Sequence, residues 1–336
     1  MLVGLARTQP YDEFMTRARS HIVCLEETPY YHVTARCVRR AFLCGVDSHT
    51  GRSYEHRRGW IEDRIRVLSS LFSVEICAYA VMSNHYHLVL KLNPNQSLAW
   101  SDDEVLNRWT ALFRGPLLVQ RHLSGDSLSA VESDALKEIA NVYRTRLGSL
   151  SWFMKCLNEP IARQANAEDG CTGHFWEARF HSQPLKSERA LLTVMAYVDL
   201  NPIRAGIAKK PEESDYTSIK TRLAGDDVQA VAASLQAMLD RGEIRHAYVS
   251  LRLLMPFSDN ASRASAPNVL PMQQLEYFKL VDTTGRILTT GKRGGIDPLL
   301  EPIIERLGLS EQQWVAICCD FKKYLRKGEL HLTKAA

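Results

Sequence analysis

The chain has 336 residues, of which 45% are hydrophobic and 24% are charged, a composition typical of globular proteins. Its formal net charge of +4 is compatible with a polyanionic partner but does not require one. No apolar run approaches the roughly 20 residues that a membrane span needs, so no membrane partner is expected. The eight cysteines include no Cys-x-x-Cys pair, and the N-terminus has no apolar signal core. We therefore predict a reducing, cytoplasmic compartment, without disulfides or zinc knuckles.

Strands and helices alternate over roughly the first 200 residues. β-branched and aromatic stretches predict four strands, at 30–38, 74–81, 86–92 and 180–186. Apolar periodicity predicts three long helices, at 57–72, 149–166 and 188–200. Ser187 is the expected N-cap of the last helix and Pro202 its expected stop, while Gly115-Pro116 interrupts helical patches between 98 and 147. This order predicts an α+β fold, a ferredoxin-like antiparallel sheet with an added helix and one open, solvated face.

The chain beyond about residue 208 has a different texture. A helix is predicted at 226–239, a Ser/Ala/Asn-rich linker at 258–268, and basic, glycine-rich turns at 284–286 and 291–295. Two further helices are predicted at 299–307 and 311–324. This last pair could form a helix-turn-helix-like DNA module or a small helical cap that packs on the core.

Two histidines flank a single residue in the segment Met-Ser-Asn-His-Tyr-His-Leu-Val-Leu at 82–90. Residues i and i+2 of a strand point to the same face, so His85 and His87 would present two imidazoles side by side, as a divalent metal site needs. With 11 histidines in the chain, chance gives this spacing in roughly one third of such chains. The alternative is two ordinary polar residues on a solvated face.

The predicted helix at 188–200 runs into a segment in which Tyr197 and Asn201 stand at positions i and i+4 and therefore share one helical face. A phenol and an amide oxygen would then point the same way. Taken alone, the pattern is more simply explained by a packed aromatic residue and an asparagine at a helix end.

Three segments, in this order, resemble the single-tyrosine (Y1) His-hydrophobic-His (HUH) transposases, the IS200-like group that includes the REP-associated tyrosine transposases. They are Tyr-Tyr-His-Val-Thr-Ala-Arg at 30–36, Ala-Val-Met-Ser-Asn-His-Tyr-His-Leu-Val at 80–89, and Tyr-Val-Asp-Leu-Asn-Pro-Ile-Arg-Ala-Gly at 197–206. A fourth segment, at 174–180, resembles the aromatic-plus-arginine box of the family. The resemblance spans about residues 28–210. Tyr86 is less apolar than the central residue for which the family is named.

The resemblance implies the site and the chemistry. His85 and His87 would be metal ligands, Asn201 would complete the metal site, and Tyr197 would be the nucleophile. The metal would be Mg²⁺ or Mn²⁺, whereas ligand softness alone would suit Mn²⁺ or Zn²⁺. The substrate would be single-stranded, hairpin-associated DNA, cleaved through a 5′-phosphotyrosine by a monomer or homodimer in the bacterial cytosol or nucleoid.

Basic and aromatic side chains flank these segments. Four arginines could hold DNA phosphates, or be solvated or ion-paired instead: Arg36, Arg39, Arg40 and Arg179. Four aromatic residues could stack bases, although core packing is the better explanation for the last two: Tyr31, His32, Phe175 and Trp176.

We accordingly divide the chain into an N-terminal extension (1–27), a Y1 transposase HUH catalytic domain (28–210) and a mainly helical accessory region that could bind DNA (211–336). Three other functions remain open. The protein could be a catalytically silent, domesticated DNA-binding regulator of the same family. It could be an RNA-binding ferredoxin-like module without chemistry. It could also be a metal-dependent hydrolase that uses water and tolerates the loss of Tyr197.

Overall fold

The computed structural model describes residues 23–38, 43–46, 51–224, 228–246, 253–258 and 269–288. The four strands are β1 (Tyr30–Arg36), β2 (Val74–Val81), β3 (His85–Leu92) and β4 (His181–Pro184). The first six helices are α1 (His56–Leu71), α2 (Pro94–Ala99), α3 (Asp102–Thr110), α4 (Leu117–Leu123), α5 (Ala130–Leu147) and α6 (Leu150–Glu168). The others are α7 (Glu188–Asp199), α8 (Asn201–Arg204), α9 (Ser218–Ala224), α10 (Val228–Asp240) and α11 (Gln274–Leu288). None of the described helices is long and apolar enough to cross a membrane.

The strands form one antiparallel sheet in the order β2-β3-β1-β4, which confirms the α+β fold class and is the strand order of a ferredoxin-like core. β1 and β3 are the two central strands. Their register places Thr34 opposite His87 and Arg36 opposite His85. Directly opposed residues share one face of a sheet, so Arg36 and the two histidines belong to the same face.

Helices cover both faces of the sheet, so the expected open face is wrong. One face, which includes Tyr86 and Leu88, packs in the larger core with α1 and α6. The opposite face carries the small residues Ala78 and Ala80 of β2 and Val89 of β3, and α7 packs against these strands. Each fully buried leucine or valine of α7 contributes about 1.5–3 kcal/mol of burial free energy. The histidine-bearing face is thus held beneath a helix.

The ends of α7 follow from its sequence. The Ser187 Oγ accepts a hydrogen bond from the backbone N–H of Ala190 at 3.1 Å, which confirms the predicted N-cap. The helix ends at Asp199, and α8 begins two residues later. Pro202 lies in the first turn of α8, where its missing N–H has no helical acceptor to lose. The proline therefore begins a second helix as well as following the first.

Other boundaries differ from the prediction. The segment 284–286 lies inside α11 rather than in a turn, and a Cβ at Gly285 would meet Leu200 Cδ2 at 3.2 Å. That glycine therefore permits a close approach between α11 and the end of α7. The predicted features at 291–295, 299–307 and 311–324 lie outside the described residues, as do most of the linker and residues 1–22. The proposed boundary at residue 210 stays a prediction.

A buried carboxyl group joins α7 to the C-terminal helices. Asp199 Oδ1 accepts hydrogen bonds from the Ser218 hydroxyl and from the Ile219 backbone N–H at 2.9 Å, and its Oδ2 accepts one from the Tyr277 hydroxyl at 2.6 Å. Burial raises the pKa of Asp199 to about 6, although these hydrogen bonds and the positive charge of Arg222 oppose the rise. The network fixes the C-terminal end of α7 against α9 and α11.

Asp199→Asn is expected to remove a pH dependence of stability. Because the folded-state pKa lies above the ordinary value of 3.8, the folded protein binds more protons than the unfolded chain between about pH 4 and pH 6. As pH rises through this window, the free energy of unfolding of the wild type should fall, relative to that of the variant, by at most about 3 kcal/mol. Above the window the difference should stay level. Urea unfolding of both proteins from pH 4 to pH 7 measures this, and a pH-independent difference would contradict it.

Candidate active site

Two strand histidines and a helix tyrosine meet between the sheet and α7. The ring centroids of His85 and His87 are 4.8 Å apart with an interplanar angle of 79°. The ring of Tyr197 on α7 meets His87 edge to face, with centroids 5.9 Å apart. His87 is 6% exposed, and the other two side chains are half-buried. The packing of α7 on the sheet therefore brings the predicted nucleophile to the predicted metal ligands.

The imidazole of His85 is oriented by its chain neighbour. Its Nδ1 lies 2.5 Å from Asn84 Oδ1. An amide oxygen can only accept a hydrogen bond, so His85 Nδ1 carries the proton and donates it. The Nε2 atom then holds the lone pair that a metal ion would use, in the arrangement common among metal-binding histidines.

The imidazole of His87 is oriented by a histidine of β1. His87 Nδ1 lies 3.0 Å from His32 Nε2, and the two rings are nearly parallel with centroids 5.2 Å apart. His32 is 4% exposed. Burial and the positive charge of a protonated His181 lower the pKa of His32 to about 3, so this imidazole is neutral at physiological pH. A neutral His32 can accept a hydrogen bond from His87 Nδ1, which would leave His87 Nε2 as the ligand atom.

The expectation that His32 and Tyr31 stack bases is wrong, because both side chains are buried. The Tyr31 hydroxyl donates a hydrogen bond to the Cys24 carbonyl at 3.0 Å. Core packing is confirmed for Phe175, which is 2% exposed. Trp176 is partly buried against the same core, and its indole N–H donates to the Asn158 carbonyl at 2.9 Å.

Asn201 presents one polar atom that a cation could use. Its Nδ2 donates to the Tyr197 carbonyl at 2.9 Å, so the amide nitrogen is tied to the preceding helical turn and Oδ1 is the remaining polar atom of the side chain. Among the described residues, no group of three or more His, Cys, Asp and Glu side chains could hold a metal ion. Two imidazoles and one amide would be a neutral donor set. A set of this kind suits a weakly held divalent cation that completes its coordination with substrate oxygens.

The electrostatic surroundings of Tyr197 within the protein favour the neutral phenol. Burial raises the pKa of Tyr197, while the positive charges of Arg204 and Arg36 oppose the rise. The Arg204 Cζ lies 4.7 Å from the centroid of the Tyr197 ring. Loss of the phenolic proton near neutral pH therefore needs further positive charge, which a bound cation would supply.

The structure locates two of the four arginines predicted to contact DNA. Arg36 ends β1 beside His85 and acts electrostatically on Tyr197. Arg179 is exposed in the loop before β4, and the Glu177 backbone N–H of that loop donates to the Arg36 carbonyl at 2.8 Å. Arg39 and Arg40 lie outside the described residues. Contact of any of them with DNA stays a prediction.

The sequence predicted no role for Arg204, and for His32 it predicted base stacking rather than a contact with His87. Arg204 lies seven residues after Tyr197 and three after Asn201, the spacing of one helical face, and this spacing was the available signal. His32 alternates with Thr34 and Arg36 along β1, which places it on the histidine-bearing face. Its contact with His87 depends on the register between β1 and β3, which the sequence does not display.

Comparison with known proteins adds little to this geometry. No family model matches the chain, and no curated protein matches it. One solved structure that matches is described as "Structure of the REP associates tyrosine transposase bound to a REP hairpin". It is 14% identical, with a TM-score of 0.33, and the match covers 63% of this chain and 87% of that one. Values this low do not establish the family.

Proposed function

We propose that this protein is a metal-dependent transesterase of the transposase type, which cleaves and rejoins single-stranded, hairpin-associated DNA in the bacterial cytosol or nucleoid. The observation that carries the proposal is the contact of Tyr197 with His87, whose ring also contacts His85, although the helix and the strand are far apart in the chain. A phenol beside two imidazoles combines a nucleophile with the donor atoms of a divalent cation.

His85, His87 and Asn201 would hold Mg²⁺ or Mn²⁺, and the bound cation would polarise the scissile phosphate as a Lewis acid. The phenolic oxygen of Tyr197 attacks phosphorus, an O–P bond forms, and the bond from phosphorus to the 3′-oxygen breaks. The phenol loses a proton, and the departing 3′-oxygen gains one to become a hydroxyl. The 5′-phosphate of the downstream strand stays bound to Tyr197, and attack by a 3′-hydroxyl reverses the reaction without an external energy source.

The fold bears on two of the other functions. An RNA-binding module of this class uses exposed aromatic residues on its central strands. Here one face of β1 and β3 lies in the larger core, and α7 packs against the other face of β3, which disfavours that function. A catalytically silent DNA-binding regulator would keep the same architecture. An assay for a covalent protein–DNA adduct distinguishes such a regulator from an active enzyme.

The test uses a library of hairpin-bearing single-stranded oligonucleotides with Mg²⁺ or Mn²⁺, resolved on a denaturing gel. A 5′-phosphotyrosine retains the fragment downstream of the nick. A 3′-end label should therefore migrate with the protein, whereas a 5′-end label should appear on a shortened free strand. EDTA should suppress both products. Absence of any adduct across the library with both metals would refute the proposed activity.

His32→Phe is expected to weaken Mn²⁺ binding by about 10- to 100-fold, because it removes the ring nitrogen that faces His87 Nδ1. Calorimetric titration of the metal measures the effect. His122→Phe is the matched control, since His122 lies on α4 and pairs with Asp103. Equal affinities in a His32→Phe variant with wild-type thermal unfolding would show that His32 does not orient the ligand.

A further inference from the structure

Arg204 is half-buried, and two of its guanidinium nitrogens have no hydrogen-bond partner among the described residues. Its Nε and Nη2 atoms are buried and make no hydrogen bond to any described residue. By contrast, Arg57 pairs with Glu168 and Asp169, and Arg64 donates to backbone carbonyls. Shielding guanidinium nitrogens from water without a partner is costly, and a bound anion would offset that cost.

The two unpartnered nitrogens form one edge of the guanidinium group. Nε–H and Nη2–H point in nearly parallel directions, which is the side-on fork that binds two oxygens of a phosphate or carboxylate. A lysine offers no such fork. The unpartnered edge of Arg204 therefore has the donor geometry of an oxyanion site.

This edge belongs to a side chain that lies against the predicted nucleophile. The Arg204 Cζ is 4.7 Å from the Tyr197 ring centroid, and Arg204 ends the same short helix that Asn201 begins. Arg36 approaches the phenol from β1 as a second positive charge. Positive groups from two elements thus surround the tyrosine, which suits a negatively charged substrate.

We propose that Arg204 is a catalytic residue whose Nε/Nη2 edge binds two non-bridging oxygens of the DNA phosphodiester that Tyr197 attacks. The inference rests on the proposed function and extends it, since it assigns the substrate phosphate to a protein side chain independently of the metal. The electrostatic stabilisation by the Arg204 guanidinium increases as negative charge accumulates on the phosphate oxygens during the attack. If Arg204 instead only packs on the Tyr197 ring, its loss would leave DNA phosphate binding unchanged.

The test measures fluorescence anisotropy of the hairpin oligonucleotide that forms the adduct, in EDTA so that no cation contributes. Arg204→Gln should weaken binding about tenfold, the loss of one charge-assisted phosphate contact. The slope of log affinity against log salt concentration should fall in magnitude by about 0.7. Arg204→Lys should restore the slope but only part of the affinity, because lysine keeps the charge and lacks the fork.

Lys209→Gln removes the same charge from an exposed position nearby and is the matched control. Arg204→Gln behaving like this control, while the wild type forms the adduct, would overturn the Arg204 assignment alone. A wild type that neither binds the oligonucleotide nor forms an adduct would overturn the proposed function and the assignment with it. If Arg204→Gln does not fold, Arg204→Lys carries the test, and wild-type affinity in it would contradict the fork.

Discussion

Tyr197→Phe is expected to abolish the covalent protein–DNA species, with a loss of at least about a thousandfold, because the variant lacks the phenolic oxygen of the proposed nucleophile. Its ring contacts with His87 and Arg204 can persist in phenylalanine. Folding and non-covalent DNA binding should therefore stay close to wild type. A denaturing gel with 3′-labelled hairpin DNA measures the adduct, and anisotropy in EDTA measures binding.

Tyr30→Phe provides the control, since it removes one hydroxyl from another partly buried tyrosine, which packs like Tyr197 against the hydrophobic cluster between the sheet and α7. It should form the adduct at the wild-type level. The pattern of products separates the competing functions. DNA cleaved by Tyr197→Phe to a free 5′-phosphate would indicate a hydrolase that uses water. A wild type that binds the DNA but forms no adduct would indicate a silent regulator.

His87→Ala is expected to have the second largest effect, a loss of Mn²⁺ affinity of at least about 100-fold together with loss of the adduct. His87 is central to the cluster, since its ring contacts His85, His32 and Tyr197. Calorimetric titration should show the loss of Mn²⁺ binding, and a denaturing gel should show the loss of the adduct in the same variant. Oligonucleotide binding in EDTA should survive, because the proposed contacts between arginines and phosphates do not need the metal.

Because His87 is 6% exposed, its truncation also leaves a cavity, and His87→Gln provides a variant of similar size. His122→Ala controls for metal bound by histidines elsewhere, since it removes a histidine of α4. Wild-type metal affinity in a folded His87 variant would remove this residue from the metal site. The adduct persisting without metal would remove the metal from the mechanism.

Local patterns were sufficient for much of the fold. The predicted bounds of β2 at 74–81 are those observed, and Ser187 caps α7 as predicted. The shared face of His85 and His87 also follows from the alternation of a strand, which needs only neighbouring residues. The end of β1, predicted at residue 38 and observed at Arg36, was less accurate because strand termini depend on partners.

The sequence by itself determined the α+β class, the hairpin that carries His85 and His87, and the helical spacing from Tyr197 to Asn201. Tertiary structure alone decided that α7 covers the histidine-bearing face, where Ala78 and Ala80 leave room for it. It also decided which groups surround the site, including His32 beside His87 and Arg204 over Tyr197. The physical reason is range, since periodicity orients a side chain relative to its own element, whereas strand register and helix packing depend on residues distant in the chain.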